Sequence, residues 1–400
     1  MDVNEIRKDF PVYQNHANLI YLDSAASALK VKDAIDQVDY YHKVLGVNAH
    51  RGAYHLAFET TQLYEAARST VARFINAAED EIVFTRGTTT SLNMVAAAFR
   101  DILNEGDEII TSELEHHSSL LPWMMTAKKT KARLVYVPLT PEGRITASAF
   151  QSVLSDKTKV IALTHISNVM GYRTPIEDIV KIARTKDVVI ILDAAQSAPH
   201  MTLDVKALDV DFLAFSGHKM FGPTGVGVLY GKKHRLSQIE PFEYGGEMID
   251  EVHLEDATFK PSPMRFEAGT PNIAGVIGFA AAIRYLERLG MDKIDAHVAA
   301  LTRYTLDKLS QVEDVTIYNP KDTHSIITFN IKDVHPHDAS TMLDQHHIGI
   351  RSGHHCAHLV ARFLNTPATI RASFHIYNDF KDCDALVEGV IKTRDFFQSF

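Results

Sequence analysis

Seven short runs of β-branched and apolar residues between residues 80 and 230 constrain the fold more than any other feature of this sequence. They cover residues 81–85, 107–112, 132–139, 158–165, 187–193, 211–215 and 225–230. Most of them are almost continuously apolar, as is typical of strands that are covered on both faces. Their spacing of roughly 20 to 30 residues leaves room for crossover helices. The sequence therefore predicts an α/β fold whose large domain contains a mainly parallel, doubly wound sheet of seven strands.

The pattern changes after residue 275. Two long segments with helical periodicity are followed by strand-like runs at 325–331, 348–351 and 368–374 and by a last amphipathic helix. A chain of 400 residues is also longer than one compact core usually serves. We therefore expect a large domain of residues 21–280 and a smaller α+β domain made of residues 1–20 and 281–400.

Composition excludes several classes of function. The net charge is −9 and the basic residues are scattered, so neither a nucleic acid nor a membrane surface is expected as partner. Two cysteines cannot form a disulfide framework, and the first residues lack the apolar core of a signal peptide, which favours a cytoplasmic protein. The 21 histidines include several adjacent pairs, but neighbouring side chains point apart and no zinc-type spacing occurs, so no metal site is expected.

Polar residues end several of the predicted strands: Thr85, His165, Asp193 and Ser216. Ligands of open α/β sheets bind beyond the carboxyl ends of the strands, so these residues indicate the site. Lys219 follows Ser216 at once, and a lysine there could form a Schiff base while its neighbours hold a phosphate. A lysine in a loop is, on the other hand, most often simply solvated.

Two further segments fit the same kind of ligand. Asp193 ends an apolar strand, where an unpaired carboxylate is costly, and the cationic ring nitrogen of pyridoxal phosphate would compensate it. A structural ion pair or a helix cap would do so as well. Residues 85–90 lead into a helix with a glycine and several hydroxyl groups, which suits either an anion or simple capping.

Cys356 lies among polar residues, directly after His354-His355 and near Arg351, which would favour its thiolate form. Cys383 lies on the last amphipathic helix and is interpreted as an ordinary core residue. Arg371 is suited to bind an α-carboxylate through two hydrogen bonds, although strand arginines more often form surface pairs.

Taken together, these segments resemble the class V aminotransferase family, most closely its Suf-type (NifS-like, group II) cysteine desulfurases. The matching segments, all in register, are residues 21–27, 48–52, 81–89, 113–123, 164–171, 192–200, 215–231, 265–275 and 351–357. The resemblance implies a pyridoxal-phosphate-dependent transferase of fold type I. Its large domain would bind the cofactor and its small domain would carry the Cys356 loop.

The resemblance also implies roles for matching residues. Lys219 is similar to the Schiff-base lysine, Asp193 to the partner of the pyridine nitrogen, and His116 to the histidine that stacks on the ring. The remaining cofactor contacts implied are Gln196 and Asn168 near the ring hydroxyl and the imine, Thr88, Thr89, Ser216 and His218 at the phosphate, and Thr270 supplied by a second subunit. A contact from a second subunit implies a homodimer.

The activity implied is conversion of L-cysteine to L-alanine. Arg371 would bind the substrate carboxylate, with Asn168 beside it, and Cys356 would take the sulfur as a persulfide for iron–sulfur cluster assembly. The acceptor implied is a small protein of the Suf system, which His337 in the segment 333–338 would contact. The other interpretation of that segment is a capped helix start.

Other activities fit the same scaffold. A selenocysteine lyase, or another lyase with this cofactor, would not need the thiol of Cys356. A non-catalytic scaffold for sulfur assembly is the alternative from a different class. The sequence also departs from the family pattern, with Tyr54, Thr90, Ala194 and the pair His358-Leu359 in place of the usual residues.

Overall fold

The computed structural model describes residues 1–399. Its strands are β1 (Ile20–Tyr21), β2 (Ile82–Thr85), β3 (Glu108–Thr111), β4 (Arg133–Tyr136), β5 (Thr158–Thr164), β6 (Val189–Asp193), β7 (Phe212–Ser216), β8 (Gly227–Gly231), β9 (Ile249–Val252), β10 (Ala257–Phe259), β11 (Val315–Ile317), β12 (Ile326–Ile331), β13 (Ile348–Gly349), β14 (Arg351–Gly353) and β15 (Thr369–Ser373).

The α-helices are α1 (Val3–Lys8), α2 (Val12–Asn15), α3 (Lys32–Tyr40), α4 (His55–Phe74), α5 (Thr88–Ala98), α6 (His117–Thr130), α7 (Ala147–Val153), α8 (Ile176–Ala183), α9 (Val205–Leu208), α10 (Lys233–Leu236), α11 (Ile273–Leu289), α12 (Met291–Leu309), α13 (Pro336–Asp344), α14 (His358–Phe363) and α15 (Phe380–Gln398). A π-helical turn at Tyr41–Leu45 continues α3, and short 3-10 helices cover Glu79–Glu81, Gly217–Lys219 and Met264–Phe266.

The seven predicted runs all form strands, and they build one sheet in the order β2-β8-β7-β6-β5-β3-β4. Neighbouring strands are parallel except at β8, which is antiparallel to both β7 and β2. The predicted α/β class and the mainly parallel sheet are therefore confirmed.

Side chains alternate between two apolar layers, one on each face of this sheet. In β6, for example, Ile190 and Leu192 lie in one buried cluster while Val189 and Ile191 lie in the other. This alternation follows from the two-residue period of a strand and explains why the runs are apolar throughout.

A second, antiparallel sheet in the order β11-β12-β15-β14 is flanked by α12 and α13, and α15 packs on these two helices. Helix α11 runs without a break across residue 280 and packs on α3 and α4. The N-terminal segment joins the C-terminal part through the β1–β13 pair and a bridge between Asp23 and Ser373. The proposed division at residues 20 and 280 stays a prediction.

Across residues 1–399, every helix is too short or too polar to cross a lipid bilayer. Both cysteines are free thiols: Cys356 is exposed and Cys383 is fully buried, as predicted for a core residue.

Candidate active site

A cavity of about 250 Å³ opens at the carboxyl ends of the parallel strands. Thr164 ends β5, Asp193 ends β6 and Ser216 ends β7, and all three line it. The opposite wall comes from the smaller sheet, through Arg351 on β14 and Arg371 on β15. The predicted site residues that share this cavity are Thr88, Thr89, His116, Asn168, Asp193, Gln196, Ser216, His218, Lys219, Cys356 and Arg371.

Lys219 lies at the end of the short 3-10 helix that directly follows β7, and it lines the cavity at the carboxyl end of that strand. Burial lowers the pKa of its amine to about 8, and the nearby carboxylate of Asp193 opposes that shift. It makes no hydrogen bond or ion pair with any residue of the described chain. An amine in this state is close to the neutral form that a covalent bond to an aldehyde requires.

Asp193 is 4% exposed, and its Oδ1 accepts a hydrogen bond of 2.9 Å from the amide of Ala195. Burial raises the pKa of this carboxyl, while the backbone hydrogen bond and the charge of Lys219 act in the opposite direction. A buried carboxylate facing a cavity is stabilised by a cationic group placed in that cavity.

His116 caps α6, and its Nδ1 accepts a hydrogen bond of 3.1 Å from the amide of Ser118. A backbone amide can only donate, so the proton of the neutral ring is on Nε2. Burial, with a smaller contribution from Lys219, lowers the pKa of His116 to about 3. The ring is therefore neutral, and it lines the cavity.

Hydroxyl groups and the start of α5 form one end of the cavity. Ser216 Oγ accepts a hydrogen bond of 2.8 Å from the Thr88 amide and lies 2.7 Å from Thr88 Oγ1. Strand β8 comes so close here that a Cβ on Gly227 would lie 2.4 Å from the Cα of Gly87. Amides and hydroxyls at the start of an eleven-residue helix suit an anion such as phosphate.

Arg371 is 2% exposed, and its guanidinium is fixed by the carbonyl of Asn168 at 2.9 Å and by Asp23 Oδ1 at 3.2 Å. Its Nε and the Oδ1 of Asn168 are both buried, and neither has a hydrogen-bond partner among the described residues. Burial lowers the pKa of Arg371 to about 10, against the opposing charge of Asp23. These two atoms leave hydrogen-bonding capacity for a ligand in the cavity.

Arg351, whose role the sequence did not indicate, lies opposite Arg371 across the β14–β15 pair and lines the cavity too. Its only sequence signal is its place in the motif that contains Cys356. The structure also corrects one expectation about that motif. Burial and the nearby Arg371 lower the pKa of His355 to about 2, so this histidine supplies no positive charge for a thiolate. The cations that share the cavity with Cys356 are Arg351, Arg371 and Lys219.

Two of the four strand-end residues, Thr85 and His165, do not line this cavity. Thr85 bonds to Ser91 Oγ at the start of α5 and lines a different cavity, and His165 is buried against Ser197. Successive side chains alternate in direction at the end of β5, so Thr164 faces the cavity and His165 points away from it.

Thr270 and His337 lie away from this cavity. Thr270 is exposed and lines a second cavity, of about 270 Å³. His337 is exposed near the start of α13, with its Nδ1 3.0 Å from Ser352 Oγ. The imidazole of His335 caps this helix by accepting the His337 amide at 3.3 Å, so the segment is a capped helix start. The proposed contact of His337 with a partner protein stays a prediction.

The turn that carries Thr270 is anchored by a buried ion pair. Arg68, 1% exposed, binds both oxygens of Glu267 at 2.7 and 2.9 Å and the carbonyl of Ile82 at 2.8 Å. Glu267 also accepts the amide of Phe84 at 2.7 Å. The pair thus fixes the 267–270 turn to β2.

Replacing Arg68 by methionine is expected to lower the free energy of unfolding by about 3–5 kcal/mol, because it leaves the buried carboxylate of Glu267 without its partner. Urea unfolding of the variant measures this. Arg73→Met is the matched control, since the Arg73–Glu287 pair is exposed and should contribute about 1 kcal/mol or less. Equal losses in the two variants would contradict the assignment.

Comparison with known proteins agrees with this geometry. The aminotransferase class-V family model matches residues 20–386. A probable cysteine desulfurase of Halalkalibacterium halodurans is 49% identical, and the alignment covers 99% of each chain. The solved cysteine desulfurase of Thermococcus onnurineus is 40% identical with a TM-score of 0.94 and 98% coverage of each chain. The solved cysteine desulfurase CsdA of Escherichia coli is 37% identical with a TM-score of 0.93 and 99% coverage of each chain.

Proposed function

Because this chain belongs to the class V aminotransferase family, we propose that it is a cysteine desulfurase, which converts L-cysteine to L-alanine and takes the sulfur as a persulfide on Cys356. The observation that carries the proposal is that Lys219, Arg371 and the exposed thiol of Cys356 line one cavity. The full-length similarity to proteins named cysteine desulfurases supports it.

The residues of the cavity fit pyridoxal phosphate. Lys219 has no partner in the described chain and would bond the aldehyde, while buried Asp193 would pair with the ring nitrogen. Asn168 and Arg371 line the same space, and Asn168 Oδ1 and Arg371 Nε have no hydrogen-bond partner among the described residues. The other residues that would hold the cofactor are Thr88, Thr89, Ser216 and His218 at the phosphate, and His116 and Gln196 at the ring. When bound, the cofactor draws electrons away from the α-carbon of the substrate amino acid.

The chain's own groups bind the substrate and move its protons. Arg371 would bind the α-carboxylate, because its buried Nε is free to donate and the rest of its guanidinium is already fixed. With its pKa lowered to about 8, the Lys219 amine can take a proton from the α-carbon near neutral pH. His116 stays neutral beside it and so adds no competing charge.

Sulfur transfer requires a nucleophile that can reach the substrate. The Cys356 thiolate forms a bond to the sulfur of the substrate while the bond between that sulfur and carbon breaks. The electron pair of the broken bond stays on the carbon, which takes up a proton and becomes the methyl group of alanine. Arg351 and Arg371 line the same cavity as this thiol.

Replacing Cys356 by alanine is expected to lower the formation of alanine from L-cysteine by about 10²-fold or more, because the sulfur then has no acceptor. Alanine and sulfide are assayed with and without a thiol reductant. Cys383→Ala is the matched control, since that thiol is buried in the core and should leave the rate unchanged.

The same assay with L-selenocysteine separates this proposal from a selenocysteine lyase. A desulfurase loses its cysteine activity in Cys356→Ala but keeps selenocysteine turnover, which does not need the thiol. Turnover of selenocysteine alone by the wild-type chain would indicate the lyase. Turnover of neither substrate by cofactor-loaded protein would indicate a non-catalytic scaffold.

A homodimer is part of the proposal. Thr270 is exposed and lines a cavity other than that of Lys219, so it would reach the cofactor phosphate only in a second copy. Tyr54, Phe58 and Tyr244 are each more than half exposed, as suits a surface that another subunit covers. Light scattering should give twice the mass of the chain, and a monomeric active enzyme would contradict this part.

A small sulfur-acceptor protein of the Suf system, in a cytoplasmic setting, completes the proposal. His337 is exposed and lies beside β14, with its Nδ1 3.0 Å from the Oγ of Ser352. Replacing His337 by alanine is expected to reduce stimulation by such an acceptor and leave the unstimulated rate unchanged. Stimulation equal to that of the wild type would exclude His337 as a contact.

A further inference from the structure

The backbone amide and the ring of His117 both hold the loop that carries Cys356. The His117 amide donates a hydrogen bond of 2.8 Å to the Cys356 carbonyl. The ring Nε2 of His117 accepts a hydrogen bond of 3.1 Å from the His358 amide, and the Nδ1 of His358 lies 3.0 Å from the same Nε2. Because a backbone amide can only donate, Nε2 carries the lone pair and the ring proton is on Nδ1.

The loop needs such anchors because of its backbone. His355 and Cys356 are consecutive residues with positive φ, 52° and 56°, a region that side chains other than glycine seldom adopt. Such backbone persists only where the surrounding structure fixes it. The Asn168 side chain holds the His355 carbonyl at 2.7 Å, and His117 fixes Cys356 and His358, the residues on either side of Ala357.

The exposed side chain of Cys356 cannot set its own position by packing. The anchors of its backbone therefore decide where the thiol lies relative to Lys219. His117 does this without lining the cavity, and it directly follows His116, which does line it. The start of α6 thus fixes both His116 and the loop that carries Cys356.

We propose that His117 is a positioning residue for sulfur transfer, whose neutral Nε2 holds the Cys356 loop over the cavity by accepting the His358 amide. The proposal rests on the proposed function in one respect, the role of Cys356 as sulfur acceptor. The imidazole of His358 stacks between His117 and His354, with ring centroids 4.8 and 4.1 Å apart, and closes the outer side of the loop.

Two variants of His117 test the proposal. Phenylalanine keeps a planar ring but removes the acceptor, and glutamine can place an oxygen near the position of Nε2. In the cofactor-loaded enzyme, His117→Phe is expected to lower alanine formation from L-cysteine by about 2- to 10-fold, the range for loss of one hydrogen bond. Turnover of L-selenocysteine should not change, and His117→Gln should recover much of the cysteine rate.

A second readout does not depend on turnover. Iodoacetamide should alkylate the Cys356 of His117→Phe about 2- to 10-fold faster than that of the wild type, because the loop then leaves its position at the cavity more often and exposes the thiol further. Cys383 is fully buried and serves as the unreactive internal control. The expected result is faster alkylation in His117→Phe and a near wild-type rate in His117→Gln.

Wild-type rates of both cysteine turnover and alkylation in His117→Phe would overturn the proposal. So would equal losses with cysteine and selenocysteine, since that would indicate general damage to the site. If the wild-type chain made no alanine from cysteine, the proposed function would fail, while the alkylation rates would still decide whether His117 holds the loop.

Discussion

Replacing Lys219 by alanine is expected to lower alanine formation from L-cysteine by at least about 10³-fold. The variant loses the amine that would hold the cofactor and also the group that would take the α-proton, and proton transfer alone typically contributes about 10²- to 10⁴-fold. Borohydride treatment followed by mass spectrometry gives an independent readout. The cofactor should stay on the peptide that contains Lys219 in the wild type and be absent from that peptide in the variant.

The controls for Lys219 separate charge from chemistry. Lys219→Arg keeps a cation but cannot form the covalent bond, so it should be as inactive as the alanine variant. Lys128→Ala changes an exposed residue and should be fully active. Lys30 is the informative competitor, because burial lowers its pKa to about 8 as well. A borohydride-stable adduct on Lys30 would contradict the assignment.

The free energy of unfolding is expected to fall steeply in acid because several histidines, among them His165, His200 and His375, are buried in neutral form. Burial lowers the pKa of His165 and His375 to about 3 and that of His200 well below its usual value. In the unfolded chain each would titrate near pH 6.5. Below that pH the unfolded chain binds protons that the folded chain does not, so stability is fully present above about pH 6.5 and is lost as the pH falls towards 3.

The expected slope is large. Each histidine contributes about 1.4 kcal/mol per pH unit, so His165, His200 and His375 together give about 4 kcal/mol per unit, and the buried neutral His116 and His355 act in the same direction. Glu115 acts in the opposite direction, because burial raises its pKa to about 8 and the folded chain keeps a proton that the unfolded chain releases above about pH 4.5. The histidine contribution is the larger of the two, so the free energy of unfolding still falls between pH 6.5 and 4.5.

Urea unfolding as a function of pH measures this slope. His200→Gln should reduce it by about 1.4 kcal/mol per pH unit, and His375→Asn, which can still accept the Ile376 amide, should do the same. His253→Gln is the control, because that side chain is exposed and should leave the slope unchanged. A slope that is the same in the wild type and both buried-site variants would contradict the explanation.

The central sheet could be predicted from the sequence because burial on both faces leaves a strong signal. Each of the seven strands is apolar over nearly its whole length, and the two cores account for this. The direction of β8 could not be predicted, since an apolar run does not record which way a strand points. Strands β9 and β10 were missed because they form an exposed hairpin with few buried side chains.

The site was predictable where motifs end strands and was less so elsewhere. Asp193, Ser216 and Lys219 follow directly from the carboxyl ends of β6 and β7. His165 misled the prediction because a strand end does not reveal which of two adjacent side chains faces the ligand. The role of Arg351 and the neutral state of His355 depend on contacts across the sheet that pairs β14 with β15, and separation along the chain hides these from the sequence.

The most direct test of the account is the mass of the Cys356 peptide after reaction. The cofactor-loaded chain is mixed with L-cysteine without reductant, and its thiols are blocked by alkylation. The chain is then digested, and the masses of its peptides are measured by mass spectrometry. One additional sulfur atom is expected on the peptide that contains Cys356 and none on the peptide that contains Cys383. Alanine formed at the full rate with no additional sulfur on Cys356 would contradict it.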